Sequence, residues 1–357
     1  MKTISYFFLI PLAVLFACRT DDSMPLTSIQ VIQGETMGTY YKVSYLGSEI
    51  TGLKTSVDSL LVALNMEVST YIPDALISRF NHGDLHAIDA ETLQGAPHFL
   101  ANLELALKIA EATSENFNPT IMPLVNYWGF GYTSKHPVTA IDSAKVDSLM
   151  TFVGLDKIDY DSIIVAPSAI QLDKEYPGTQ LDFSAIAKGY GVDLVAAYLR
   201  QLGINNYFVD IGGEVVAKGN KGSNDTPWRV GIAIPKEDAA PTEMDVAIPL
   251  IDRAVATSGN YRNYYEVNGQ KFSHTINPFT GYPERSNLLS ASILAKDCAT
   301  ADGFATACMV LGLDAAFELI NTQPDLEGYF IYSDDEGLLH TKATKGFTSL
   351  LPEQEAF

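Results

Sequence analysis

Positive charge is scarce in this chain of 357 residues: 23 Lys and Arg stand against 43 Asp and Glu, a formal net charge of −20. So acidic a surface repels a polyanion, and no basic cluster interrupts it, which excludes nucleic acid as a partner. A phosphate-bearing ligand would have to be met locally, by backbone amides, a few cations or a metal ion. Cysteine is nearly absent, with three in all, so no disulfide framework holds the fold. Cys298 and Cys308 fall in a run of small apolar residues that reads as one helix. Their separation along it is about 15 Å, beyond the reach of a disulfide. Four common marks are also missing: GxGxxG after a strand, GxxxxGK[ST], GxSxG and HExxH. Their absence removes the usual nucleotide-fold, kinase, hydrolase and zinc-protease readings. No fixed-period repeat and no low-complexity tract is present.

One apolar run stands out. Tyr6 to Ala17 follows Met1 and Lys2, is short for a transmembrane span, and has the layout of a secretory signal. It closes on Leu15, Phe16, Ala17 and Cys18, which is similar to a bacterial lipobox. Residues 1–17 are therefore expected to be cleaved, Cys18 to carry lipid, and residues 18–28 to link the membrane to the body. The expected location is the cell envelope, lipid-anchored and facing the periplasm. A single folded body is expected over 29–345, with 346–357 as a tail; 47% hydrophobic residues supply a sizeable core.

Val57, Leu61, Leu64 and Val68 recur at helical spacing, as do Leu100, Leu103, Leu107 and Ala110. A further helix is expected over 143–152, and a long one over 184–202 ended by Gly203. Strands are expected at 206–211, 214–218 and 228–234 as an antiparallel meander, then at 248–257 and 288–294. Helices over 299–311 and 314–321 and strands near 329–332 and 338–341 complete the body. Strands and helices do not alternate strictly, so the fold class is α+β, with antiparallel strands and packed helices.

Several stretches can carry chemistry. In DFSAIAKGYG, residues 182–191, Asp182 and Ser184 stand at the expected start of a helix, whose free amides attract phosphate, and Lys188 lies one turn on. The same residues also suit an ordinary helix cap. In CATADGFATAC, residues 298–308, Asp302 and Thr306 are four apart and share a helix face. That carboxylate and hydroxyl suit Mg²⁺, although an aspartate there also suits a cap. SHTINPFTGYP, residues 273–283, reads as a structured loop in which His274 can act near neutral pH. TSGNYR, residues 257–262, brings Arg262 toward a phosphate. The small residues around Met37 in GETMGT admit a flat ligand, and Tyr71, Phe117, Tyr127 and Trp128 offer aromatic surface for stacking.

Taken in order, GETMGT, NFNPT with PLVNYWGFG, DFSAIAKGYGVD, IGGE, TSGNYR, SHTINPFTG and ADGFAT resemble the FAD:protein FMN transferase (ApbE) family, from about Gly34 to beyond Thr306. The resemblance implies an α/β-roll architecture and a Mg²⁺-dependent transferase. Such an enzyme splits FAD, attaches FMN to a Thr or Ser of an exported acceptor protein, and releases AMP. It places FAD contacts on Met37, Tyr71, Asn116, Phe117, Asn118, Asp182, Lys188, Arg262, His274, Thr275 and Ile276. It places the metal on the backbone carbonyl of Ala185 with Asp302 and Thr306, and makes His274 or Asp302 the proton acceptor. Two positions depart from some members, which carry aspartate where this chain has Asn118 and Ala305; the second leaves the metal with fewer charged ligands. An FAD pyrophosphatase using water at the same site, and a non-catalytic flavin-binding lipoprotein, are the competing expectations.

Overall fold

The computed structural model describes residues 28–352, apart from 86, 134–137, 139, 160–170, 223–224, 236–243, 261–263 and 268–269. Cys18, the signal-like run and Arg262 lie outside the described residues. The centre is an eight-stranded sheet: β1 (Ser28–Thr36), β2 (Thr39–Gly47), β3 (Tyr207–Ile211), β4 (Glu214–Lys218), β5 (Arg253–Gly259), β6 (Leu288–Ala295), β7 (Glu327–Ser333) and β8 (Leu339–Ala343). Spatial order equals chain order and every pair is antiparallel. The expected α+β class holds, with the helices inserted between strands.

Both sheet faces are covered, so the inner strands read as nearly continuous apolar runs. Alternate residues divide between two cores. Val216, Ala254 and Ile293 face the helices α1 (Leu53–Val68), α2 (Pro97–Ala112), α3 (Ala187–Gln201) and α4 (Cys298–Leu311). Val215, Ala217, Val255 and Leu294 face the other way, against Trp228, Ile248 and Phe347. Each buried Val, Leu, Ile or Phe among these contributes about 1.5–3 kcal/mol through its removal from water. A further helix, α5 (Leu313–Thr322), packs against α4 and β7.

Four expectations are corrected. The run 248–257 is two strands, because Asp252 adopts a left-handed conformation (φ 49°) that turns the chain between a strand ending at Leu250 and β5. Trp228–Ala233 leaves the meander and pairs with Met244–Leu250 in a separate ribbon, so the strand beside β4 is β5. The long helix starts at Ala187 rather than 184: residues 184–186 form a turn, and no side chain caps it. Phe347, assigned to the tail, is fully buried in the second core. Cys298 and Cys308 are both buried free thiols, as the helix spacing requires.

Candidate active site

The β1–β2 and β3–β4 hairpin tips and the end of β5 border a cavity of about 1280 Å³. Its first wall is a pair of hairpin tips. Thr36 pairs with Thr39 across Met37 and Gly38, both at positive φ (50° and 72°), and Ile211 pairs with Glu214 across Gly212 and Gly213 (63° and 104°). Two-residue loops of this kind match the twist of the strands they join. Met37 is thereby held at the cavity in a conformation few side chains adopt.

The second wall is where α3 crosses α4. A Cβ on Gly189 would lie 2.5 Å from the Cys298 carbonyl oxygen, so only glycine allows this approach. Asp193, one turn along α3, accepts the amides of Cys298 and Ala299 at 2.9 Å each and caps α4 from outside. Burial pushes its carboxyl up to about 7, against the pull of those two amides. With the helices fixed in this way, the Gly189 amide donates to Asp302 Oδ2 at 3.2 Å. Lys188 Nζ lies 2.6 Å from Glu214 Oε1 and 3.8 Å from Asp302 Oδ2. Burial raises the pKa of Asp302, opposed by Lys188 and the Gly189 amide. It also raises the pKa of Glu214, opposed by Lys188 and reinforced by Asp302. Burial works against the Lys188 ammonium, but the two carboxylates outweigh it and hold its pKa above the ordinary lysine value.

Loops supply the third wall. Asp182 receives the Ser184 amide at 2.8 Å and donates its own amide to the Pro119 carbonyl, which ties the DFS turn to the NFNPT loop. Burial raises its carboxyl pKa, opposed by the Ser184 amide. Asn118 Oδ1 accepts from the amide and hydroxyl of Thr120. Trp128 Nε1 donates to the Gly281 carbonyl at 2.8 Å, locking PLVNYWGFG onto the loop that carries His274. The Phe130 ring stands edge-on to His274, with centroids 6.3 Å apart.

Every flavin- and metal-contact candidate among the described residues borders this one cavity. Met37, Tyr71, Asn116, Phe117, Asn118 and Asp182 line it, as do Ala185, Lys188, His274, Thr275, Ile276, Asp302 and Thr306. The stacking expectation is corrected for Tyr127 and Trp128, which do not line it; Trp128 is fully buried beneath the loops. Tyr71, at 61% exposure, stands at the rim.

The ApbE family profile matches residues 37–330. The chain belongs to the ApbE family. An FAD:protein FMN transferase of Haemophilus influenzae is 36% identical over 360 residues, 99% of each chain. One from Vibrio cholerae is 36% identical over 285 residues, 79% of this chain and 81% of the relative. Among solved structures, the flavin transferase ApbE from Vibrio cholerae matches with a TM-score of 0.76 at 32% identity, covering 91% of this chain and 100% of that one. The Pseudomonas stutzeri flavinyl transferase ApbE, apo form, matches with a TM-score of 0.77 at 30% identity, covering 91% and 97%.

Within this ApbE cavity three participants escaped the candidate set. Glu214 closes on Lys188, Phe130 faces His274, and Ser258 Oγ shares a 3.2 Å hydrogen bond with Thr306 Oγ1. Glu214 was visible in principle, since a carboxylate two residues before Val216 falls on the helix-facing side of β4, where charge is costly without a partner.

The chemistry of the donors suits a hard cation that keeps most of its shell for water and ligand oxygens. No group of three or more His, Cys, Asp or Glu is gathered to hold a metal among the described residues. Instead one buried carboxylate, one hydroxyl and one carbonyl-bearing turn border the same space, and both protein contacts of Asp302 fall on Oδ2. Mg²⁺ tolerates such a sparse set because phosphate oxygens complete it.

Proposed function

We propose that this protein transfers the FMN half of FAD to a threonine or serine hydroxyl of an exported partner and releases AMP. The observation that carries this reading is the convergence of seven separated sequence motifs on one cavity. In the reaction the acceptor oxygen bonds to the FMN-side phosphorus while the bond from that phosphorus to the oxygen bridging it to AMP breaks. The hydroxyl proton must leave as this happens.

Asp302, Thr306 and the Ala185 carbonyl would hold Mg²⁺, which when bound offsets negative charge on the pyrophosphate. Lys188, drawn between Glu214 and Asp302, adds a second cation for the phosphate oxygens. His274 and Asp302 both border the cavity and are the two groups able to take the hydroxyl proton. The apolar ring of Phe130 bounds the position of His274. Asn118, Asp182 and Tyr71 line the remaining length, available to the ring and ribityl parts of the flavin.

Export and lipid attachment at Cys18 belong to the same proposal and rest on the run Tyr6 to Cys18. Metabolic labelling with a fatty-acid analogue tests them; label retained in the Cys18→Ser variant would sink the anchor. For the reaction itself, chromatography of FAD, FMN and AMP tests the metal site. The Asp302→Ala variant should release no AMP, and AMP release at the wild-type rate would overturn the assignment.

A further inference from the structure

The ladder between β4 and β5 stops early. Arg253, Ala254 and Val255 pair with Ala217, Val216 and Val215, after which β4 ends at Glu214 and turns away through Gly213 and Gly212. β5 continues to Gly259, paired on its other side with β6 as far as Ser290. Among the described residues the last part of β5 therefore borders the cavity with one edge open: Thr257, Ser258 and Gly259 all line it.

Which backbone groups point into that opening follows from alternation. Asn260 donates its amide to Leu289 on the β6 side. In an antiparallel pair successive residues direct their N–H and C=O to opposite sides. Ser258 thus points its backbone to β6, while Thr257 and Gly259 point theirs into the cavity. The hydroxyl contact between Thr257 and Ser292 at 2.7 Å agrees, because side chains approach most closely in non-hydrogen-bonded pairs. The natural partner of Thr257 would be Gly213, but its amide donates to Asp210 Oδ1 instead. Among the described residues no backbone bond continues the ladder.

We propose that an extended segment of the acceptor protein takes over this ladder as an added antiparallel strand on β5, with its hydroxyl residue opposite Ser258. The proposal rests on the transferase reading above. Two N–H/C=O pairs spaced about 7 Å apart on one straight edge match an extended chain, whereas the edge of a flat heterocycle satisfies only one. Gly212 and Gly213, at the hairpin tip that walls the cavity, bring no side chain against an incoming backbone. A residue opposite Ser258 shares its face, and the Ser258 hydroxyl bonds to Thr306 on α4. The register therefore delivers the acceptor hydroxyl beside the residues proposed to hold the metal. Its immediate neighbours bond to Thr257 and Gly259.

The test uses an acceptor domain that the wild-type enzyme flavinylates, carrying proline, or alanine as control, at single positions around the modified residue. Proline one residue to either side should lower kcat/KM for the acceptor about tenfold relative to alanine, and proline two residues away should change it by less than about threefold. On the enzyme, Gly259→Pro should raise the acceptor KM while FAD affinity, read by flavin fluorescence, stays unchanged. Proline effects without this alternation would overturn the proposal. So would an equal loss of FAD affinity in Gly259→Pro, which would give the edge to FAD. Failure of the wild-type enzyme to modify any acceptor while it still binds FAD would instead remove the transferase reading, and the docking proposal with it.

Discussion

Gly189 and Asp302 meet across two helices: the amide of one donates to the carboxylate of the other at 3.2 Å, and it can do so only because residue 189 has no side chain. Gly189→Ala would drive a methyl group to 2.7 Å from the Ala299 Cα. The helices must separate, at a cost of about 1–3 kcal/mol, and Asp302 must shift with α4. The variant should melt lower and need more Mg²⁺ for half-maximal activity, as metal titration will show.

Asp302 itself is the most exacting position. Asp302→Asn keeps the volume and one acceptor oxygen but removes the charge. Activity at saturating FAD should fall by about 10²–10³-fold, with a smaller change in FAD affinity. Steady-state kinetics across a range of Mg²⁺ concentrations separates the two effects.

Asp193 makes stability depend on pH. Its folded-state value near 7 lies far above the ordinary 3.8. Between those values the folded chain binds a proton that the unfolded chain has released, so this contribution to stability falls as pH rises. In Asp193→Asn that titration is absent. Thermal melts should show wild type losing ground to the variant by roughly a few degrees between about pH 5 and about pH 8. A pH-independent difference would contradict the buried carboxyl.

Trp128 joins the two loops over the cavity. Trp128→Phe keeps most of the apolar burial and loses the bond to the Gly281 carbonyl, worth about 1 kcal/mol. Trp128→Ala also leaves a cavity, at about 3–5 kcal/mol. Both should loosen the His274 loop, so turnover should drop in Trp128→Phe even where its melting temperature is nearly unchanged.

Much of this was legible before any coordinates. The helices around Leu61 and Leu107 announced themselves by apolar spacing, the helix with Thr306 by its run of small apolar residues, and the hairpin at IGGE by its glycines. The parts that were not legible share a physical cause. Asp182 and Ser184 look like caps because aspartate and serine cap helices so often, yet here Asp182 is spent on its own turn. A left-handed Asp252 carries no sequence mark that separates it from any other aspartate, so two strands read as one. Trp128 had the chemistry of a stacking platform and the burial of a core residue, and sequence does not distinguish them. Asp193 and Glu214 act through contacts 105 and 26 residues away, which only the folded chain brings together.

The central claim is covalent transfer, and intact mass spectrometry of the acceptor tests it most directly. Purified protein, FAD and Mg²⁺ are mixed with a candidate exported acceptor domain and the acceptor is weighed. A gain of one FMN less water, abolished by EDTA and by Asp302→Ala, is the predicted result. An acceptor of unchanged mass beside free FMN and AMP would contradict it and make water the nucleophile.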